Sequence, residues 1–173
     1  METRKWDANY RLDQTPWRRK NLDLTRLLQI TGVQGGTVLD LGCGTGEYSR
    51  WLARKGFKVE GLDSSKIALQ HAKARFASVN FREWDLEKLD RYEFTYEKYD
   101  LILDIKTFVF IQNKEKYLDT IRSRLRGTCV LEAFVNSTKR NLNIETQSIE
   151  DLFKTRFNVR SSTAGKMVDY FLN

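Results

Sequence analysis

The sequence predicts an α/β fold, with one doubly wound, mainly parallel sheet of seven strands, helices on both faces and a terminal antiparallel hairpin. Two observations support this prediction. Short apolar runs of strand type alternate along the chain with longer runs of helical periodicity, and such alternation is typical of parallel sheets. The last two strand-like runs, 157–162 and 167–172, have no helix between them, so we expect them to pair as a hairpin.

Length and composition fit a single globular domain. The chain has 173 residues, of which 40% are hydrophobic, and this is enough to bury one core. No apolar run approaches the roughly eighteen residues that span a bilayer, and the first residues lack the apolar stretch of a signal peptide. We therefore expect a cytoplasmic protein with no membrane partner. Residues 1–21 are expected to form an N-terminal arm over the functional site, and 22–173 the domain itself.

Cysteine use and charge narrow the function classes. Cys43 and Cys129 stand far apart and in no CxxC pattern, so the sequence predicts neither a disulfide framework nor a metal site. The net charge is +7, and bases gather at 17–20, 121–126 and 138–140. Such clusters attract nucleic acid or another acidic partner, or they simply form a basic soluble surface. Both interpretations stay open at this point.

Strand and helix segments account for the first half of the sheet. A helix is expected over 22–30, ahead of the first strand. The following elements are strand 36–41, helix 47–56, strand 57–63, helix 64–77 and strand 79–83. Gly56 is placed to end its helix, and the serines at the start of 64–77 are placed to cap the next one.

The second half of the sheet begins with its most apolar strand. The elements are strand 99–105, helix 113–125, strand 127–135 and helix 148–157. One stripe of the first of these helices carries Tyr117, Leu118, Ile121 and Leu125, so that stripe should face the core. The polar stretch 136–147 lacks periodicity, and we expect it to be a loop at the end of the sheet where such folds bind ligands.

A glycine-rich turn follows the first predicted strand, in "VLDLGCGTGEYS". Gly42, Gly44 and Gly46 alternate directly after an apolar run that ends in Asp40. Glycines let a ligand approach the main chain closely, so this turn predicts a binding corner. The dinucleotide fingerprint needs a third glycine where Glu47 stands, and a glutamate would repel a pyrophosphate. An NAD-dependent oxidoreductase is therefore disfavoured.

The spacing in "DLGCGTGEYS" resembles motif I of the class I S-adenosylmethionine-dependent methyltransferases, whose fold is Rossmann-like. The resemblance covers about residues 6–173 and is sharpest over 37–105. It implies S-adenosyl-L-methionine as the cofactor. The cofactor-binding residues that it implies are Trp17, Asp40, Gly42, Cys43, Gly44, Gly46, Tyr48, Asp63, Ser64, Trp84, Asp85, Leu86 and Asp104.

Acids at successive strand ends receive separate roles from this resemblance. Asp63 would accept hydrogen bonds from the ribose hydroxyls, and Asp85 would receive the adenine amino group. Trp84 and Leu86 would pack on the adenine ring. Asp104, near the end of the fourth strand, would face the reaction centre, and we take it as the catalytic candidate that holds an amine acceptor or accepts its proton.

The arm "WDANYRLDQTPW" is similar to the start of the small thiopurine and tellurite-resistance type methyltransferases. In those relatives the arm folds over the cofactor, so Tyr10 and Trp17 would shield the sulfonium or line the acceptor pocket. The alternative is that these aromatic residues only cover a core edge. Lys106 and Phe108 stand where acceptor contacts are expected, with Lys106 either near an acidic acceptor or pointing to solvent.

These patterns predict methyl transfer by in-line displacement to a small-molecule or protein lysine nucleophile. The stretch "DIKT" departs from the Asn/Asp-Pro-Pro-Tyr signature of enzymes that methylate exocyclic amines of bases. An RNA-modifying enzyme that uses the basic surface stays an alternative, as does a non-catalytic binding module of the same fold. The oligomeric state stays open.

Overall fold

The computed structural model describes residues 3–12, 23–134, 146–164 and 167–173. The strands are β1 (Thr37–Leu41), β2 (Lys58–Asp63), β3 (Asn80–Glu83), β4 (Tyr99–Ile105), β5 (Leu125–Phe134), β6 (Val159–Ala164) and β7 (Met167–Leu172). They form one seven-stranded sheet in the order β3-β2-β1-β4-β5-β7-β6. Strands β1 to β5 pair in parallel, whereas β7 runs antiparallel to both β5 and β6. The predicted sheet and its terminal hairpin are confirmed.

Helices follow most of the strands. They are α1 (Thr3–Arg11), α2 (Leu24–Thr31), α3 (Glu47–Arg54), α4 (Lys66–Arg75), α5 (Lys114–Arg124) and α6 (Thr146–Lys154), with 3₁₀ helices at Leu86–Arg91 and Phe108–Phe110. Side-chain oxygens of Asp23, Ser65 and Asn113 accept backbone N–H groups at the starts of α2, α4 and α5. Along the described residues, no helix has the length and apolarity needed to cross a membrane.

The sheet separates two hydrophobic clusters, as a doubly wound fold requires. Leu39 and Leu41 of β1 pack on one side with Tyr117 of α5, whereas Val38 of the same strand packs on the other with Leu52 of α3. Because successive side chains of a strand point to opposite faces, one short strand contributes to both clusters. The predicted core stripe of α5 and the start of β5 is buried throughout.

The strand order places the ligand-binding end of the sheet. β1 has β2 on one side and β4 on the other, so the chain reverses its winding direction beside β1. In open α/β sheets, such a reversal leaves a crevice outside the carboxyl ends of the two diverging strands. The segments that follow Leu41, Asp63 and Ile105, where β1, β2 and β4 end, therefore border this crevice.

Candidate functional site

The turn between β1 and α3 contains three glycines, which carry no side chains. Gly42, Gly44 and Gly46 have φ angles of +74°, +53° and +77°, in the left-handed region that favours glycine. A Cβ atom on Gly42 would lie 1.9 Å from the Thr107 hydroxyl, and one on Gly46 would lie 2.5 Å from the Phe81 ring. Close packing therefore requires glycine at positions 42 and 46.

The middle glycine opens onto a cavity. A Cβ atom on Gly44 would lie 2.6 Å from the hydroxyl of Tyr10, which reaches over the turn from α1. The cavity beside them has a volume of about 330 Å³, which is within the range of small-molecule sites. Its lining consists of Tyr10, Asp40, Gly42, Cys43, Gly44, Thr45, Glu47, Tyr48, Ile105 and Lys106.

Asp63 connects the glycine turn to the end of β2. Its carboxylate accepts the backbone N–H groups of Gly44 and Ser65, both at 2.8 Å. Burial raises the pKa of Asp63 above its ordinary value, while these backbone donors act against the shift. A carboxylate offers about four acceptor positions, so two hydroxyl groups of a ligand could join the two internal donors. Beside it, the buried Ser64 hydroxyl has no hydrogen-bond partner among the described residues.

Asp40 is a buried acid in the cavity lining. The Ser49 hydroxyl donates to its carboxylate at 2.5 Å. Burial raises the pKa of Asp40 to about 7, and the neighbouring carboxylates of Asp63 and Asp104 add to that shift. Near neutral pH this group is therefore divided between its protonated and charged forms.

The structure corrects the placement of Asp104 and Phe108. The Asp104 carboxylate is fully buried and accepts the backbone N–H groups of Thr107 and Phe108 and the hydroxyl of Tyr117, at 3.0, 2.8 and 2.7 Å. Phe108 lies in the core, with its ring 5.4 Å from that of Phe153. Neither side chain presents surface to a ligand in the crevice. Asp104 fixes the turn after β4, which is the geometry of a positioning residue.

The segment after β3 is also more structural than expected. Trp84 packs edge to face on Tyr92, and its indole N–H donates to the Lys88 carbonyl at 3.0 Å. Asp85 accepts the Glu87 backbone N–H at 3.2 Å and so caps the 3₁₀ helix. Leu86 is only 1% exposed and belongs to the core, so the expectation that it packs on an adenine ring is not met in this structure. These three residues lie outside the lining of the cavity.

Lys106 occupies an unusual backbone position directly after β4. Its φ angle is +66°, although it is not a glycine, and its backbone N–H donates to the Glu132 carbonyl at 2.9 Å. Its ammonium lies 3.4 Å from the Glu132 carboxylate, and the two side chains are only 10% and 8% exposed. Burial raises the pKa of Glu132, and Lys106 opposes that shift. The alternative in which Lys106 points to solvent is therefore wrong.

Helix α1 spans the top of the crevice. Asp7 accepts the Ser65 hydroxyl at 2.6 Å and the Ile67 backbone N–H at 3.3 Å, at the start of α4. On the other side, the Trp6 ring meets the Phe110 ring edge to face at 4.9 Å. Trp17, predicted to contact the cofactor, lies outside the described residues, as does most of the predicted 136–147 loop.

Several residues of the site were not identified from the sequence. Thr45, Glu47 and Ile105 line the cavity, and Asp7 joins α1 to α4. Thr45 and Glu47 flank the last glycine of the turn, so their position in the chain could have indicated them. Asp7 stands one helical turn before Tyr10, and this spacing puts both on one face of α1. Ile105 carried no comparable signal.

Comparison with known proteins identifies the family. The family model described as "Methyltransferase domain" matches residues 33–167. A relative named ubiquinone biosynthesis O-methyltransferase, from Rhizobium etli, is 30% identical over 127 residues, which are 70% of this chain and 50% of that protein. The chain thus spans about half the length of these curated relatives.

Solved structures share the fold. A structure described as a TehB-like SAM-dependent methyltransferase from Corynebacterium glutamicum superimposes with a TM-score of 0.74 at 18% identity, over 96% of this chain and 98% of that one. A SAM-dependent methyltransferase from Aquifex aeolicus superimposes with a TM-score of 0.75 at 17% identity, over 96% and 97% of the two chains. At such identities the superpositions establish the fold alone.

Proposed function

This chain belongs to the methyltransferase domain family, with the fold of class I S-adenosylmethionine-dependent methyltransferases, and from that premise we propose that it methylates a small-molecule acceptor. The observation that carries the proposal is the hydrogen bond from the Gly44 N–H to the Asp63 carboxylate. It sets a buried carboxylate beside the glycine turn, at the edge of a cavity. Glycine at position 44 keeps this edge of the cavity clear of a side chain of its own, so a ligand can approach the backbone there beside Tyr10.

The residues on the two sides of this hydrogen bond fit different parts of S-adenosylmethionine. The Asp63 carboxylate has acceptor capacity left for ribose hydroxyls, and the Ser64 hydroxyl is a buried polar group beside it. On the other side, the cavity beside Gly44 and Tyr10 can take the methionine part, because the three glycines of the turn place no side chains of their own in it. The cofactor supplies an electrophilic methyl group on a sulfonium, so the donor is already activated.

The chain therefore contributes alignment and shielding more than acid–base chemistry. Holding two reactants in attack geometry supplies roughly 7–11 kcal/mol of a barrier. Tyr10 covers the glycine turn from α1, and we assign it to the wall that excludes water from the reacting atoms. We assign Asp104 a positioning role, because it anchors the turn that begins at Thr107, directly after Lys106. No residue is assigned as a general base.

A small acceptor is favoured over a protein lysine or RNA. Relatives of about 30% identity carry the name ubiquinone biosynthesis O-methyltransferase, which denotes a small-molecule acceptor for those proteins. We place the protein in the cytoplasm because Cys43 and Cys129 are both free and buried, as in a reducing compartment.

Calorimetry tests the cofactor assignment. S-adenosylhomocysteine, the demethylated product of the cofactor, is titrated into the parent chain and into Asp63→Ala. Losing charge-assisted hydrogen bonds to the ribose should weaken binding by at least about tenfold. The control is Asp119→Ala, which removes an exposed acid of α5 that pairs with Arg156. If Asp63→Ala binds like the parent, the ribose assignment is wrong.

Labelled methyl transfer tests the acceptor class. The chain is incubated with methyl-labelled S-adenosylmethionine and a cell extract that is separated into small-molecule, protein and RNA fractions. We expect the label in the small-molecule fraction. Label in protein or in RNA would replace the proposed acceptor class by that one. Binding of the cofactor with no transfer to any fraction would identify a non-catalytic binding module.

A further inference from the structure

The cavity beside the glycine turn carries charges of both signs. Among the lining residues that the structure describes, Asp40 and Glu47 are acidic and Lys106 is basic. The cofactor under the proposed function ends in an amino acid, which has an ammonium and a carboxylate group. A lining with both signs of charge matches this zwitterionic end, because each group can face a side chain of opposite charge.

We infer that Lys106 binds the carboxylate of the cofactor's amino-acid end, and that Glu132 positions the ammonium of Lys106 for this contact. The inference rests on the proposed function and deepens it, since it assigns one residue to one group of the cofactor. It also replaces the expectation that Lys106 contacts an acidic acceptor.

The position of Lys106 in the sheet supports this assignment. β4 is the neighbour of β1 at the point where the winding reverses, and the pairing Leu41 to Asp104 brings their carboxyl ends side by side. Lys106 therefore stands across the crevice from the glycine turn and lines the same cavity as Gly44. We place the thioether end of the ligand beside Gly44, which leaves this cavity for its amino acid.

The backbone of Lys106 shows that its direction is imposed by the fold. A left-handed conformation costs a non-glycine residue about 1–2 kcal/mol. Here it is fixed by the hydrogen bond from the Lys106 N–H to the Glu132 carbonyl. Strain of this kind persists where surrounding contacts enforce it, and it concentrates at ligand sites. The strain thus marks Lys106 as a residue whose orientation is determined by its neighbours.

Glu132 supplies the counter-charge that a buried lysine needs. The ammonium–carboxylate distance is 3.4 Å, with both side chains at most 10% exposed. Removing only one partner of such a pair leaves an uncompensated buried charge. An ammonium has three N–H donors, so it can serve Glu132 and a ligand carboxylate together. Glu132 therefore acts through Lys106 and needs no ligand contact of its own.

Two ligands that differ only in the amino acid separate this role from any other. S-adenosylhomocysteine carries the amino acid, whereas 5′-methylthioadenosine keeps the adenosine and the thioether without it. Both are titrated calorimetrically into the full chain and into Lys106→Met. We expect affinity for S-adenosylhomocysteine to fall at least about tenfold, and affinity for 5′-methylthioadenosine to change less than about twofold. Lys58→Met, at the exposed start of β2, is the matched control.

The double variant Lys106→Met/Glu132→Gln controls for destabilisation of the fold by the single substitution. It removes both charges of the pair, so no buried charge is left uncompensated. It should show the same selective loss as Lys106→Met. Equal losses for both ligands would overturn the inference, as would parent-like affinity for S-adenosylhomocysteine in the two variants. If the parent chain binds neither ligand, the proposed function itself fails. If the parent chain binds S-adenosylhomocysteine and substitution of Lys106 does not weaken that binding, only the inference fails and the proposed function stands.

Discussion

Around the crevice, the end of β1 is shaped by its backbone, whereas the end of β4 is shaped by its side chains. After β1, three glycines with positive φ leave a turn that neighbouring residues and a ligand can approach closely. After β4, Asp104 anchors the following turn and Glu132 fixes a strained Lys106. The end of β1 thus leaves space for a ligand, whereas the end of β4 presents a charged side chain. The proposed cofactor requires both, because its methyl donor is attached to a charged amino acid.

The buried acids of these two strands differ in the same way. Asp40 and Asp104 are both buried, yet burial raises the pKa of Asp40 to about 7 and that of Asp104 only to about 6. Asp104 receives three donors, which favour its charged form, whereas the Ser49 hydroxyl is the side-chain donor to Asp40. The protein thus keeps a readily protonated acid in the cavity and a more firmly charged one in the core.

The largest expected effect is a pH dependence of stability caused by Asp40. Its folded-state pKa of about 7 exceeds the ordinary value of 3.8, so the folded protein holds a proton that the unfolded chain has lost between those values. This stabilisation is complete below about pH 4 and disappears as the pH rises through about 7. Relative to Asp40→Asn, the parent's free energy of unfolding should fall over this range by on the order of 4 kcal/mol.

Urea unfolding at a series of pH values measures this difference. Asp104→Asn serves as the comparison, because a folded pKa of about 6 should give a smaller fall, on the order of 3 kcal/mol. Parallel stability curves for the parent and Asp40→Asn would show that Asp40 does not titrate as an isolated buried acid. Equal falls for the two positions would remove the contrast between the strand ends.

A somewhat smaller effect is expected where the glycine turn meets the turn after β4. In Gly42→Ala the new methyl group would stand 1.9 Å from the Thr107 hydroxyl and 2.9 Å from its Cβ atom, so the two turns must separate. We expect a loss of about 3 kcal/mol in the free energy of unfolding, from overpacking and from the positive φ together.

Gly56→Ala is the matched control for that loss. Gly56 also has a positive φ, of +91°, but a Cβ atom there would meet nothing within 4 Å. It should cost only about 1 kcal/mol, the contribution of the backbone conformation alone. Thermal and urea unfolding of both variants give the difference. Equal costs would contradict the close approach of the two strand ends that the structure shows.

The sequence was informative where a requirement on the backbone leaves a local trace. Positive φ angles and close packing can be met at Gly42, Gly44 and Gly46 only by the smallest residue, so their spacing revealed the turn before any contact was known. The alternation of strands and helices was equally local, and the predicted elements agree with the structure to within a few residues. Neither 3₁₀ helix was predicted, because three to six residues carry too little periodicity.

The end of β4 could not be predicted in this way. An acid at the end of an apolar strand points to the crevice or to the opposite face, and nothing local in "YDLILDI" decides between them. The choice is made by Tyr117, thirteen residues further on, whose hydroxyl donates to Asp104 inside the core. The partner of Lys106 likewise comes from β5, as Glu132. These contacts are tertiary, so they appear only when the sheet is assembled.

The affinity of Gly44→Ala for S-adenosylhomocysteine, measured by calorimetry beside Gly32→Ala, tests most directly whether the glycine turn receives the cofactor. Both glycines have positive φ, but a methyl group on Gly44 would project toward the Tyr10 hydroxyl in the cavity, whereas one on Gly32 would meet nothing within 4 Å. We predict that Gly44→Ala binds at least about tenfold more weakly while Gly32→Ala binds like the parent. Parent-like affinity in a folded Gly44→Ala would contradict the claim that this bare turn receives the cofactor.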